Sequence, residues 1–210
     1  MTLIPRGNKT RVKLTPVILA IFLFGLAACG AGNSRDVPAD QSLQPSAART
    51  GWAKSDVKGV TISVPTTWQK TGPITPGSGA ELFTFQTERN TFGTRGGAQL
   101  LTLDTYTHKA ADLVANITSE AQAVAGAKEI TSTQIIWPGA DDAWLITYVA
   151  YPSSNGKVAA HPTEVLVLDL PGGGQAQATV TALKENFGSE HMHDVLETVR
   201  ITKTAGSKMS

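Results

Sequence analysis

Apolar and polar residues alternate along three runs in the first half of the chain, which is the period-two pattern of strands with one buried face. These runs are residues 60–64, 83–86 and 98–106. Pro65 ends the first run, and the pair Gly96-Gly97 forms a turn before the third. The glycine- and proline-rich residues 71–80 are predicted to be a loop.

The apolar period then lengthens to that of a helix. The apolar residues that share one helical face are Leu113, Ile117, Ala121 and Val124. Thr107 is predicted to cap the N-terminus of this helix, and Gly126 is predicted to end it. We expect the helix to lie with its apolar face on a sheet.

Further strand-like runs follow the helix. They are residues 129–136, 143–151, 164–170 and 176–183. Short turn-rich segments separate them, which is typical of antiparallel neighbours. A short amphipathic helix comes next, with Ser189 as its predicted cap; its apolar positions are Met192, Val195, Leu196 and Val199. The order of elements predicts an α+β domain in which a mainly antiparallel sheet is flanked by helices.

The N-terminus carries the pattern of a secretory signal. Basic residues precede a mostly apolar segment, residues 14–26, and small residues come before Cys29, the only cysteine of the chain. The motif Leu26-Ala27-Ala28-Cys29 resembles the lipobox of bacterial lipoproteins, which implies cleavage before Cys29 and a diacylglyceryl group on its sulfur. One alternative is an uncleaved membrane helix, but this segment would cover only about 20 Å of a hydrocarbon core about 30 Å thick. The other is a signal peptide without lipidation.

Composition then divides the chain into predicted parts. They are residues 1–28 as a lipoprotein signal peptide, 29–50 as the lipidated cysteine and a flexible tether, 51–203 as one globular domain, and 204–210 as a frayed tail. Residues 30–50 contain no aromatic side chain, so they have little apolar surface to bury. The sequence therefore predicts a domain held at the extracytoplasmic face of the cell membrane by a lipid anchor.

Charge and cysteine usage exclude several classes of function. Removal of residues 1–28 takes away four basic and no acidic residues, which lowers the formal charge from +1 to −3. A nucleic-acid-binding protein usually carries a basic surface, so we expect no nucleic-acid partner. Once Cys29 is acylated, no thiol remains for a disulfide or a cysteine metal site.

Two segments resemble a known family. "GVTISVPTTWQK" at residues 59–70 resembles the strand, proline and tryptophan opening of PsbP-like domains, and "VLETVRI" at residues 195–201 resembles their closing helix and strand. With a lipobox in front, the chain is similar to the small LpqN-type lipoproteins of mycobacteria and their relatives. The resemblance implies a PsbP-like αβα sandwich with a non-enzymatic binding or assembly role, and it carries over no catalytic residue.

Candidate catalytic and metal-binding residues form weak patterns. His191 and His193 point about 200° apart if they lie on a helix, so they would not share one ion. Asp141 and Asp142 are expected in a turn between strands, without further oxygen ligands nearby in sequence. The glycine-rich turns lack the spacing of a phosphate-binding loop, and no Gly-x-Ser-x-Gly motif occurs. We therefore predict no catalytic residue, metal or cofactor.

An aromatic cluster is the best candidate for a binding site. Trp137, Trp144 and Tyr148 are predicted to line a groove, although core packing is the simpler explanation for at least part of the set. The sequence thus favours a non-enzymatic, membrane-anchored binding or assembly module whose partner is an envelope protein or a small apolar ligand. The alternative is an envelope hydrolase or metal-dependent enzyme in which His161, His191 or His193 meets carboxylates from distant parts of the chain.

Overall fold

A computed structural model describes residues 43–77, 79–89, 95–106, 108–154 and 157–202. The chain divides into two units, residues 1–36 and 37–210, and all described residues belong to the second. The predicted signal peptide, Cys29, Thr107 and the predicted tail lie outside the described residues.

Strands dominate the described part of the chain. They are β1 (Trp52–Val57), β2 (Val60–Pro65), β3 (Gln69–Ile74), β4 (Ala80–Arg89), β5 (Arg95–Leu103), β6 (Lys128–Gln134), β7 (Asp142–Ala150), β8 (Ser153–Ser154), β9 (Lys157–Val158), β10 (His161–Leu170), β11 (Gly174–Thr181) and β12 (Arg200–Ile201). The helices are α1 (Ala110–Ala125) and α2 (Met192–Glu197). The predicted strands and both predicted helices are confirmed.

A seven-stranded antiparallel sheet, called here the main sheet, has the order β3-β4-β5-β11-β10-β7-β6. In its centre, Val165 of β10 pairs with Ile146 of β7 and with Thr179 of β11. Three strands in the order β1-β2-β12 form a second, small sheet. The structure thus confirms a mainly antiparallel α+β fold.

The α1 face of the main sheet is the side on which α1 packs. Leu113, Ile117 and Ala121 of the helix are buried against Ile146 and Val165 of the sheet, as the helical period predicts. Gly126 ends the helix in the left-handed conformation that its position predicts. α1 covers β7 and the neighbouring β6 and β10.

The opposite side, called the α2 face, carries the larger core. Alternate residues of the same strands point there, and the small sheet and α2 close over them. Leu166, Val180 and Phe85 of the main sheet meet Met192 and Leu196 of α2 in this core. Alternation along β10 therefore fills two cores, one on each face.

Some local predictions were wrong. Residues 71–74, predicted as loop, belong to β3, an edge strand whose residues are all exposed and so show no apolar alternation. Ser189 does not cap α2; its hydroxyl donates to the carbonyl oxygen of Asn186, and His191 occupies the cap position. Gly96 and Gly97, predicted as a turn, lie within β5. The error at β3 arises because an exposed strand supplies no periodic signal.

Residues 43–49, called here the strap, run into the domain before β1. Leu43 is fully buried in the core of the α2 face. The backbone N–H of Ser46 donates to the carbonyl oxygen of Glu197 at 2.8 Å, and its hydroxyl donates to the Glu197 carboxylate at 2.9 Å. Arg49 forms an ion pair with Asp194 at 2.5 Å. Packed residues thus begin inside the segment predicted as a tether, before Gly51.

Candidate functional site

The aromatic residues predicted to line a groove lie on both sides of the main sheet. Trp137 is 3% exposed in the core of the α2 face. Tyr148 is buried beneath α1, where burial raises the pKa of its phenol, and Trp144 is half-buried against the same core. The structure brings Trp144 and Tyr148 onto one face of β7, and it places Trp137 on the other side of the sheet.

A different surface is left open by the uneven cover of the main sheet. Outside the sheet, β4, β5 and β11 are packed against by α2 and β1, and both lie on the α2 face. Their α1 face, together with that of β3, is called here the open half. Its side chains are mostly half-buried, in contrast to the fully buried positions under α1.

One end of the open half is apolar. Leu82 of β4 pairs with Leu101 of β5 in the register of the sheet, and Ile74 of β3 pairs with Leu82. Leu103 follows on the same face of β5. Ile74 is 41% exposed and the leucines are half-buried, so the strands present a continuous apolar patch to solvent.

The other end of the open half carries amides and hydroxyls. The uncharged polar residues at that end are Gln69, Thr71, Thr84, Gln86, Gln99 and Thr179, whereas Gln177 pairs with Leu101 beside the apolar patch. Thr84 is 7% exposed, and its buried Oγ1 has no hydrogen-bond partner in the structure. A buried hydroxyl without a partner costs about 1–3 kcal/mol.

A cation marks the border of the open half. The Arg95 guanidinium donates to the Gln69 amide oxygen at 3.2 Å and to the carbonyl oxygen of Thr87 at 2.8 Å. From Gly97 to Leu103, the α1-face positions of β5 are uncharged. The open half therefore offers an apolar patch beside neutral hydrogen-bonding groups.

The histidines have separate partners. His193 Nδ1 lies 2.8 Å from the Glu164 carboxylate, and His191 Nδ1 lies 3.1 Å from that of Asp194. His161 Nδ1 lies 3.1 Å from the carbonyl oxygen of Ala159. In the parts of the chain described here, no three or more His, Cys, Asp or Glu side chains are grouped to hold a metal ion.

Asp142, of the predicted carboxylate pair, lies opposite Asp169 at the end of the main sheet beside α1. Asp142 accepts from the Trp144 indole at 3.1 Å and from the Gln134 amide at 3.0 Å. Asp169, which no sequence motif marked, is 3% exposed and accepts from the backbone N–H of Ala110 at 3.0 Å. Its negative charge is the main cause of the raised pKa of Tyr106. Asp142 thus joins β6 to β7, and Asp169 holds the first turn of α1.

Comparison with known proteins gives distant likenesses in structure. No protein-family model matches the chain, and no curated protein matches it in sequence. A crystal structure of LpqN, involved in cell envelope biogenesis of Mycobacterium tuberculosis, is 17% identical over 72% of this chain and 91% of that chain, with a TM-score of 0.48. A structure from Bacteroides thetaiotaomicron is 13% identical over 71% of this chain and 47% of that chain, with a TM-score of 0.39. We transfer no residue role from either structure.

The sequence did not predict which face of the sheet stays uncovered, and the reason is physical. Side chains of β5 point alternately to the two faces of the sheet, with Leu100 on the α2 face and Leu101 on the α1 face. This alternation alone does not indicate which face a helix will cover. The available signal was the alternation of Gln177, Thr179 and Thr181 along β11, which no buried apolar face requires.

Among the described residues, no helix is long and apolar enough to cross a membrane.

His193 predicts a pH dependence of stability. The hydrogen bond to Glu164 raises its pKa above the ordinary value, with smaller contributions from nearby carboxylates and an opposing one from burial. This contribution to stability is complete below the unfolded pKa of about 6.5 and is lost as pH rises through the higher folded pKa. We expect His193→Gln to lower the melting temperature at pH 6 by at most about 3 °C, because the pair is partly solvated.

The measurement is a series of thermal melts between pH 5.5 and 8.5. His193→Gln should flatten the slope in this window, whereas His108→Gln, a control at an exposed histidine, should keep it. An unchanged slope in His193→Gln would contradict the assignment.

Proposed function

We propose that this protein is a lipid-anchored, non-enzymatic binding module of the cell envelope, and that the open half binds a small uncharged ligand with an apolar part. The observation that carries the proposal is the open half itself, in which a patch around Leu82 and Leu101 adjoins neutral amides and hydroxyls. An apolar lining with a few polar groups that fix the orientation of the ligand is typical of small-molecule sites.

The size of the open half favours a small ligand over a protein partner. Four strands about 4.8 Å apart, each contributing about 20 Å of length, present about 400 Å². A stable protein interface usually buries about 800 Å² on each partner. Of the two partners that the sequence leaves open, the small ligand therefore fits this surface better.

The membrane location is the second part of the proposal. It is supported by the lipobox-like motif that ends at Cys29 and by the apolar segment before it. Two acyl chains on Cys29 would suffice for stable anchoring. The PsbP-like sandwich is likewise a proposal, supported by the "GVTISVPTTWQK" and "VLETVRI" segments and by a sheet with one helix on each face.

Binding of an uncharged fluorescent probe tests the ligand site. The mature chain with Cys29→Ser, which carries no lipid to compete, is titrated with N-phenyl-1-naphthylamine, whose emission rises in apolar surroundings. Leu101→Asn should weaken binding about ten-fold, because losing the apolar contact of one leucine costs about 1–2 kcal/mol.

Ile136→Asn is the matched control. Ile136 is 64% exposed and follows β6, at the far edge of the main sheet from β3. It should leave the dissociation constant unchanged. Equal affinities for the unsubstituted chain, Leu101→Asn and Ile136→Asn would rule out the open half as the apolar site.

A further inference from the structure

The strap and the open half lie on opposite faces of the main sheet. Leu43 is buried in the core that contains Leu166 and Val180, which point to the α2 face. Val165 and Thr179, one residue earlier in each strand, point to the α1 face, to which the open half belongs. The chain therefore enters the domain on the side away from its candidate binding surface.

Polar contacts add to the buried leucine in holding the strap. Besides its bonds to Glu197, Ser46 accepts a hydrogen bond at its carbonyl oxygen from the Arg200 guanidinium. Arg49 pairs with Asp194 on the exposed side of α2. These contacts join the strap to both α2 and β12, so it has a defined place on the α2 face.

Chain length limits where the membrane can lie. From Cys29 to Leu43, full extension at about 3.3–3.6 Å per residue gives at most about 50 Å. A compact domain of about 160 residues has a radius of gyration of about 15 Å and is about 39 Å across, so a chain that starts on one side runs about 50 Å before it meets a bilayer that touches the opposite side. With the strap docked, the anchor would have to be almost fully extended to bring the open half against the bilayer, and such extension costs conformational entropy.

We propose that the docked strap orients the anchored domain so that the open half faces away from the membrane and takes its ligand from the membrane-distal side. The inference rests on the proposed function, since it needs the lipid on Cys29. Release of the strap would move the point of attachment to about Thr50 and raise the reach to about 75 Å, enough for the open half to meet the lipid surface. The strap thereby determines whether the ligand reaches the open half from the membrane or from the membrane-distal side.

Fluorophores at two positions report the orientation. Cys29 is the only cysteine and its sulfur carries the lipid, so Gln99→Cys on the open half and Ser189→Cys before α2 can each be labelled singly with bimane. The labelled proteins are placed in phosphatidylcholine vesicles that carry a nitroxide on a fraction of the headgroups. We expect quenching of the Ser189 position to be at least about three-fold stronger than that of the Gln99 position.

Lengthening the anchor tests whether its reach is the cause. An insertion of eight Gly/Ser residues between Asp36 and Val37 leaves the strap sequence intact and should make quenching at the two positions similar. The double variant Leu43→Ser, Arg49→Ala should do the same by releasing the strap. The insertion keeps the test valid if the double variant fails to fold.

Each outcome bears on a different claim. Intact-mass analysis first shows whether Cys29 carries a diacylglyceryl group; if it does not, the anchor and the proposed membrane location both fail. A lipidated chain with equal quenching at both positions, or with stronger quenching at Gln99, overturns the orientation alone. A difference that persists after the insertion overturns the role of chain length.

Discussion

Gly97→Ala is expected to abolish cooperative folding or to lower the free energy of unfolding by about 4 kcal/mol or more. A Cβ at Gly97 would lie 2.0 Å from the carbonyl oxygen of Phe85 and 3.1 Å from its carbonyl carbon. Both atoms belong to the backbone of β4, so rotation of a side chain cannot relieve the clash. Relief requires β4 and β5 to separate, which breaks the ladder in the open half.

Gly77→Ala is the control for this change. No atom lies within 4 Å of the position that its Cβ would take, so the substitution should alter stability by less than about 0.5 kcal/mol. Urea unfolding followed by far-ultraviolet circular dichroism compares the two variants. A Gly97→Ala protein with unchanged midpoint and slope would show that the strands are not packed this closely.

Asp169→Ala is expected to cost about 3 kcal/mol of stability, which lowers the melting temperature by about 6–12 °C. Both carboxylate oxygens of Asp169 accept from the N–H of Ala110, at 3.1 and 3.0 Å, and one also accepts from the Gln175 amide at 2.8 Å. Ala110 is fully buried, so its N–H would have no replacement partner in water.

Asp112→Ala provides the comparison, because Asp112 is an exposed carboxylate in the same first turn of α1. It should lower the melting temperature far less, since it loses only a solvent-screened interaction with the helix terminus. Calorimetry of both variants at pH 7 is the measurement. Equal losses would mean that charge near the helix, and not the buried hydrogen bonds, is what Asp169 contributes.

Period and turn chemistry were sufficient to predict most of the sheet and both helices, because buried strands such as β10 and an amphipathic α1 impose their period on the sequence. The same reasoning predicted the left-handed end of α1 at Gly126. It missed β3, whose residues are all exposed, and it did not foresee that the strap packs through a single buried leucine.

Long-range contacts explain what remained beyond prediction. The N-cap position of α1 is Lys109, which makes no side-chain capping bond, and the acceptor for the first turn comes from Asp169. Whether two aromatic residues share a core depends on how the hairpin of β6 and β7 packs in the domain. Trp137 and Trp144 lie on opposite sides of the main sheet. The open half depends on how far α1 extends across the sheet, which no local pattern encodes.

The uneven cover of the main sheet also means that its two halves differ in how readily they open. Backbone amides of β7 and β10 are shielded on both faces, whereas those of β4 and β5 have solvent on one. The weaker half can therefore exchange its amide hydrogens through local fluctuations while the other half stays closed. A ligand on the open half would slow that exchange selectively, so occupancy of the site would be recorded in the amide protection of β4 and β5.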